Sequence, residues 1–207
     1  QLIESETPAN IKSAYSPTNA FYLLAFPTTK QVYCFDMRQP LQDGSARVTI
    51  WNNMEFTDWL AFDGEIYMTH NDGLARYIGY QDNGSSYRMV YFTNYFDLGS
   101  ASQTKILKRL AMTVIGATGQ DFVVKSGFDY SDQYNSYPLT VRTGTVYEYN
   151  VAEYNIGEYS GGTLVDTVRA PGSGSGSVLQ LGFEADLNGG ALSIQKMDVY
   201  VKQGRTI

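Results

Sequence analysis

Short strands separated by Asx-Gly turns dominate the stretch from Asp58 to Gly99. Asp63-Gly64 and Asn71-Asp72-Gly73 separate three short apolar runs, and a longer run follows Asp82-Asn83-Gly84. Asx-Gly between β-favouring runs is a strong hairpin signal, because glycine accepts the positive φ that tight primed turns require. The stretch therefore predicts an antiparallel meander that leaves on a long strand.

Composition extends this prediction to the whole chain. Among 207 residues there are 17 Tyr, 10 Phe and 20 Gly, a balance that favours strands joined by tight turns. The single cysteine, Cys34, excludes an internal disulfide framework. No apolar run approaches the length of a membrane helix, so no membrane segment is expected.

A weak internal repeat predicts blade-like sheets in residues 1–83. The segments FYLLAFPTTKQVYCFD and DWLAFDGEIYMTHNDGLARY each give an aromatic strand, a tight turn and a second strand, at a spacing of about 36–38 residues, close to that of propeller blades. Because a propeller needs at least about four blades, we expect the last blades of an incomplete β-propeller. The start at Gln1, without a signal-peptide pattern, indicates a piece of a longer protein.

Residues 84–207 predict an antiparallel β-sandwich-like domain. Its expected strands are Tyr87–Phe96, Lys105–Ala117, Asp121–Ser126, Val178–Ala185 and Ala191–Val201. A helix remains an alternative for Thr104–Met112, since LKRLAMTVIGA alternates only in part. Residues 127–145 predict a long loop and Ala170–Gly176 a flexible linker, while Thr145–Tyr149 and Val151–Ile156 are Tyr-rich and partly alternating.

Charge is unevenly distributed along this chain of net charge −6. Residues 84–127 carry +3 and residues 128–166 carry −5. Patches of opposite sign suit a head-to-tail interface between copies, although scatter over solvated faces is the simpler alternative. The candidate interface residues are Arg88, Lys105, Lys108, Arg109, Tyr147, Tyr149 and Tyr154.

Motifs that carry catalysis are missing from the sequence. It has one histidine, His70, and no nucleophile elbow, phosphate-binding loop, C-x-x-C pair or zinc spacing. Aspartates recur at the turns, and the geometry of Asx-Gly turns accounts for them without a bound metal ion. We therefore expect a protein that is not an enzyme and has no cofactor; a hydrolase-like enzyme on a β scaffold, using His70, is the weakest alternative.

A cluster of tyrosines provides the main alternative function. Its members are Tyr130, Tyr134, Tyr137, Tyr147, Tyr149, Tyr154 and Tyr159. Exposed aromatic rings stack on sugars and anchor protein interfaces, whereas buried ones belong to a core. A receptor- or glycan-binding β-sandwich adhesion module is therefore the second interpretation of the chain.

Residues Tyr33 to Gly99 resemble the C-terminal part of a known family. The matching features are VYCFDMRQ, RVTIW, WLAFDGEIYMTHNDGLARY and a Y-x-D-N-G turn, followed by YFDLGSASQTKILKRLAMTV. The ending ALSIQKMDVYVKQGRT is similar as well. The family is the tail nozzle proteins of short-tailed bacteriophages, also called tail tubular protein B or packaged-DNA stabilisation proteins.

The resemblance implies a virion structural protein of the phage tail. In that family the last propeller blades precede a sandwich-like platform, and six copies form the nozzle ring that closes the tail channel, retains packaged DNA and passes it at ejection. The implied partners are further copies of the chain, the portal and adaptor proteins, and tail fibres or spikes. DNA would transit without sequence-specific binding, which suits an acidic chain because basic contacts to phosphates would add affinity.

Overall fold

The fold follows the turn pattern of the sequence. The computed structural model describes residues 6–38, 40–41, 43–71, 73–116, 119–142 and 164–206. Within these ranges the chain forms fifteen β-strands and one 3₁₀ turn, Pro8–Asn10, so the all-β prediction is confirmed. Two compact units, Gln1–Ile78 and Gly79–Ile207, divide the chain a few residues before the expected boundary at 83/84.

The first unit contains two antiparallel meanders. Its strands are β1 (Lys12–Ser16), β2 (Phe21–Phe26), β3 (Gln31–Asp36), β4 (Arg47–Asn52), β5 (Asp58–Phe62), β6 (Glu65–His70) and β7 (Gly73–Arg76). One sheet has the order β1-β2-β3-β4 and the other β5-β6-β7, each strand pairing with the next in sequence. A four-stranded antiparallel meander is also the layout of a propeller blade, but the propeller itself remains a prediction.

Two Asx-Gly turns adopt the primed geometry that the sequence predicts. Asp63 and Gly64 have φ of 51° and 75°, and Asn83 and Gly84 have φ of 47° and 80°. Positive φ at both central residues is the signature of a type I′ turn, whose twist matches that of the flanking strands. These turns hold β5 against β6 and close a tight hairpin at Asn83-Gly84.

Side chains that alternate along β2 and β3 build a small core in the first unit. Leu23 and Ala25 of β2, together with Val32 and Cys34 of β3, are buried and pack with Ile66 of β6. This period of two places one face of the sheet in the core, as expected for an antiparallel sheet with one solvated side.

The second unit has two antiparallel sheets that share one core. Its strands are β8 (Tyr87–Phe92), β9 (Gln103–Gly116), β10 (Asp121–Phe128), β11 (Asn135–Thr140), β12 (Leu164–Pro171), β13 (Ser175–Gly176), β14 (Leu179–Leu187) and β15 (Leu192–Thr206). One sheet has the order β11-β10-β14-β8. In the other, β9 pairs with β12 and β13 and also with β15. Core residues from both sheets pack together, which makes the unit sandwich-like.

Strand β9 replaces the helix that was an alternative for Thr104–Met112. It pairs with β12 from Gly116, opposite Leu164, to Arg109, opposite Pro171, and it pairs with β15 along its length. Tyr200 of β15 faces Arg109, but the next residue, Val201, faces Leu107, so Lys108 is an extra residue in β9. Such a β-bulge interrupts the period of two, which explains why the sequence alternates only in part.

Two segments expected to be irregular take part in the sandwich. Residues 127–145, expected to be a long loop, contain β11, an edge strand that accommodates Pro138. Ala170–Gly176, expected to be a flexible linker, contains the end of β12 and all of β13. Gly172 donates its N–H to Lys108 O over 2.9 Å, and a Cβ there would lie 2.5 Å from Leu107 Cγ. Close packing on β9, rather than flexibility, accounts for this glycine.

Candidate interaction surfaces

Lys105 is buried, which corrects the expectation that it belongs to a surface charge patch. Its side chain is 2% exposed. Nζ donates to Ser177 O over 2.9 Å and to Ser100 O. Because an ammonium has three donors and no acceptor, these carbonyls satisfy most of its hydrogen-bonding capacity. Lys105 therefore ties the segment before β9 to the segment before β14.

The neighbouring cations Lys108 and Arg109 are both exposed. The bulge at Lys108 accounts for two consecutive exposed residues, since regular alternation would turn one of them inward. The Arg109 guanidinium lies 4.1 Å from the ring centroid of Tyr200, its register partner on β15. This cation–π contact fixes the direction of one cation and leaves both available to an acidic partner.

Arg88 belongs to a charged cluster on the sheet that contains β8. Arg88 Nη2 lies 2.6 Å from Glu184 Oε2, and Lys125 Nζ lies 2.5 Å from Glu184 Oε1. The Arg88 side chain is 62% exposed, whereas that of Glu184 is 12% exposed. The hydrogen bond from Lys125 is the main cause that lowers the pKa of Glu184, and the bond from Arg88 adds to it against the opposing desolvation.

Removal of Lys125 is expected to raise the pKa of Glu184. In the wild type, we expect the chemical shift of the Glu184 carboxyl carbon, followed by NMR across an acid titration, to change at a lower pH than that of an ordinary glutamate. The pKa of Glu184 is lower in the folded chain than in the unfolded chain, so its ionised carboxylate stabilises the fold. This stabilisation is complete above the unfolded pKa and is lost as pH falls through the folded pKa. Lys125→Met should move the midpoint up by more than Arg88→Met does. An equal or reversed order would contradict the assigned causes.

The tyrosine cluster separates into different environments. Tyr147, Tyr149, Tyr154 and Tyr159 lie outside the described residues. Tyr137 is a core residue, since it is 9% exposed and its hydroxyl accepts the N–H of Ser173 over 2.9 Å. Tyr130 is 73% exposed and Tyr134 is half-buried. Of the described members, only these two retain a place at the surface.

Tyr130 and Tyr134 join two further aromatic rings in a group that we call the aromatic platform: Phe92, Tyr95, Tyr130 and Tyr134. Ring centroids are 5.1 Å apart for Phe92 and Tyr134, and 4.4 Å apart for Tyr95 and Tyr130. Partial desolvation raises the pKa of the Tyr95 phenol, and a hydrogen bond with Tyr134 raises it further. Tyr134 therefore interacts with both Phe92 and Tyr95, which links the two tilted ring pairs.

Two glycines allow the platform to lie flat on the sheet. A Cβ on Gly182 of β14 would overlap the Phe92 ring, and one on Gly127 of β10 would lie 2.8 Å from Tyr134 Cε1. Aromatic rings that cover glycines in neighbouring strands replace the packing that the glycines lack. The Tyr134 hydroxyl also donates to Gln180 Oε1 over 2.6 Å. The sequence signal for Phe92 and Tyr95 was weak, because they lie outside the tyrosine-rich segment.

Reactive and metal-binding groups are sparse in the part of the chain that the structure describes. Burial is the main cause that raises the pKa of the Cys34 thiol to about 11, which keeps the thiol protonated. His70 lies at the end of β6, opposite Gly73. Among the described residues, no group of three or more His, Cys, Asp or Glu side chains is placed to hold a metal ion. Nor do these residues include a helix that is long and apolar enough to cross a membrane.

Neither a protein-family model nor a curated protein matches the chain.

Proposed function

We propose that the chain is a structural component of a bacteriophage tail, part of the nozzle ring that closes the tail channel, retains packaged DNA and passes it at ejection. In this proposal the protein is located in the virion tail and is not an enzyme. Its partners are further copies of itself, the portal and adaptor proteins, and tail fibres or spikes. The resemblance of residues 33–99 supports the family, and the all-β architecture agrees with it.

The observation that carries the proposal is the exposed apolar surface of the first unit. Of eighteen large hydrophobic side chains exposed among the described residues, eleven lie between Tyr15 and Ile78. Several are on strands at the sheet edges or directly after them, namely Val48, Ile50, Leu60, Phe62, Leu74, Tyr77 and Ile78. Exposed apolar side chains concentrated along sheet edges favour protein association at those edges. A subunit that packs against neighbouring blades and neighbouring subunits would cover it.

Charge in the second unit supports association between copies. Lys108 and Arg109 are exposed in the basic segment 84–127, and Asp129 and Asp132 are exposed in the acidic segment 128–166. In a ring, each subunit presents one patch to the preceding copy and a different patch to the next. Complementary charges would help to fix the register of that contact.

Charge reversal at the bulge is expected to weaken ring assembly. We expect the purified chain to form a hexameric ring at low salt, and the double variant Lys108→Glu/Arg109→Glu to shift towards monomer, because two attractive contacts per interface become repulsive. Native mass spectrometry or light scattering at two salt concentrations measures the change. Higher salt should also loosen the wild-type ring, since exposed charges are screened.

A matched control separates the interface from total charge. Lys196 and Lys202 are exposed lysines of β15, outside the basic segment. Lys196→Glu/Lys202→Glu changes the net charge by the same amount and should leave the ring intact. Equal loss of assembly in both double variants would contradict the assigned patch. A wild-type chain that stays monomeric at every concentration would contradict self-assembly of this chain.

A glycan-binding adhesion module is the second candidate function. The aromatic platform favours it, because exposed tyrosine rings on a sandwich-like unit provide faces on which a sugar can stack. Binding of an oligosaccharide to a monomeric chain would favour this function over the nozzle ring.

A further inference from the structure

The backbone at Tyr130 has a left-handed conformation that tyrosine disfavours. Asp129 and Tyr130 have φ of 52° and 61°, and Ser131 N donates to Phe128 O over 3.0 Å, so they are the central residues of a primed turn. Asp tolerates this conformation, and Asp129 Oδ1 accepts the N–H groups of Ser177 and Val178 at 2.7 and 3.1 Å. A tyrosine is disfavoured there, where glycine is the usual choice.

The strained residue is also the most exposed large hydrophobic side chain of the described residues. Its exposed fraction is 73%, so core packing does not explain a bulky side chain in a left-handed conformation. The ring instead packs against Tyr95 at the surface, with the two ring planes tilted by 41°. Strain held at a presented aromatic ring points to ligand binding, since strained residues cluster at such sites.

A polar cavity adjoins the platform. Its volume is about 390 Å³, at the lower end of the range for small-ligand sites, and its walls include Tyr134, Ser131, Gln133 and Asn135. Among the described residues, the Asn135 amide nitrogen makes one long hydrogen bond, of 3.5 Å to Ser173 O, so most of the side chain's hydrogen-bonding capacity is available to a ligand. Tyr134 belongs to both features, because it lines the cavity and packs against the Phe92 ring.

We propose that the aromatic platform and this cavity form a binding site for an uncharged saccharide. A sugar ring has an apolar C–H face that stacks on tyrosine and hydroxyl groups that pair with amides. In this arrangement Tyr130 and Tyr95 provide the stacking surface, while Gln133 and Asn135 provide hydrogen bonds. The inference rests on the second candidate function and gives it a location and a class of ligand.

The charges around the cavity select against acidic sugars. The carboxylate of Asp129 lines the cavity, Asp132 lies in the exposed segment beside it, and none of the described residues that line the cavity is a lysine or arginine. A carboxylate or sulfate on the ligand would meet like charge without a cationic partner. Neutral hexoses and N-acetylhexosamines are therefore expected to bind, and sialylated or sulfated sugars are not.

The test uses the full chain and defined probes. Saturation-transfer NMR is run with the methyl glycosides of glucose, galactose, mannose, N-acetylglucosamine and N-acetylneuraminic acid. We expect a signal from at least one neutral glycoside and none from N-acetylneuraminic acid. Tyr130→Gly removes the ring in a residue suited to the left-handed backbone, so it should remain folded and bind about tenfold more weakly. Gln133→Ala should also weaken binding, and Tyr130→Phe should retain it.

The control is Tyr91→Ala, which removes another exposed tyrosine of the same unit. Successive residues of a strand point to opposite faces, so Tyr91 lies on the other face of β8 from Phe92, a member of the aromatic platform. This variant should bind as the wild type does. Binding that is unchanged in Tyr130→Gly and Gln133→Ala would overturn the location while the glycan-binding function stands. No signal from any neutral glycoside would overturn both the saccharide site and that function, whereas the nozzle proposal is decided separately by the native mass.

Discussion

The Lys105→Glu variant is expected to lose about 3–5 kcal/mol of folding free energy in the second unit, the range observed when a buried charge is left unpaired. The glutamate would place a carboxylate against Ser100 O and Ser177 O, the two carbonyl oxygens that now accept from Lys105 Nζ. Carbonyl oxygens cannot donate a hydrogen bond, so the new charge would have neither a counter-ion nor a donor in these positions.

Denaturant unfolding followed by far-UV circular dichroism measures this change. Both tryptophans, Trp51 and Trp59, lie in the first unit, so tryptophan fluorescence follows that unit separately. Lys105→Met, which keeps the apolar stem but leaves the carbonyls without their donor, should lose about 1–3 kcal/mol.

The matched control is Lys108→Glu, three residues along the same strand. Lys108 is exposed, so its reversal should change stability by no more than about 0.5 kcal/mol. Lys105→Glu and Lys108→Glu that unfold at the same denaturant concentration would contradict a structural role for Lys105. Because Lys105→Glu is expected to destabilise the fold, a loss of ring assembly in that variant would not identify Lys105 as an interface residue.

Phe183→Ala is expected to destabilise the second unit by about 3–5 kcal/mol, the usual loss for a buried phenylalanine. Phe183 of β14 is 3% exposed, and its ring centroid lies 5.2 Å from that of Phe122 on β10. Truncation removes both the buried apolar area and this ring contact, and it leaves a cavity between the sheets.

The cross-strand partner of Phe183 provides the control for this variant. Tyr91 of β8 is its register partner and is 59% exposed. Tyr91→Ala removes a ring of similar size from the same rung of the ladder and should change stability by about 1 kcal/mol or less. A loss in Phe183→Ala no larger than that in Tyr91→Ala would contradict the placement of Phe183 in the shared core.

Local turn chemistry made much of the first unit predictable. Strands β2 and β3 form within FYLLAFPTTKQVYCFD, where two strands and a turn were expected, and Asp63-Gly64 forms the expected primed turn. Each of these strands pairs with its neighbour in sequence, so the contacts that define it are local. The assignment of the two meanders to propeller blades remains a prediction, because it depends on further surfaces that would cover their exposed apolar side chains.

Long-range pairing made the second unit harder to predict. Strand β9 pairs with β12, β13 and β15, each far away in sequence, and the bulge at Lys108 hides its alternation. Residues 127–145 were expected to be a loop because they are rich in Tyr, Ser, Asp and Gly, but they contain the edge strand β11, which tolerates Pro138. In both segments the tertiary contacts override the local pattern.

The amino-acid sequence by itself determined the all-β class, the tight turns and the strands of the first unit, because Asx-Gly geometry and a period of two act over a few residues. Only the tertiary structure decided which charged and aromatic residues reach the surface. Of two lysines three residues apart, the fold buries Lys105 between two carbonyls and the bulge exposes Lys108. It likewise places Tyr137 in the core and packs Tyr130 against Tyr95 at the surface. Burial depends on which distant strands pair, and residue type alone does not carry that information.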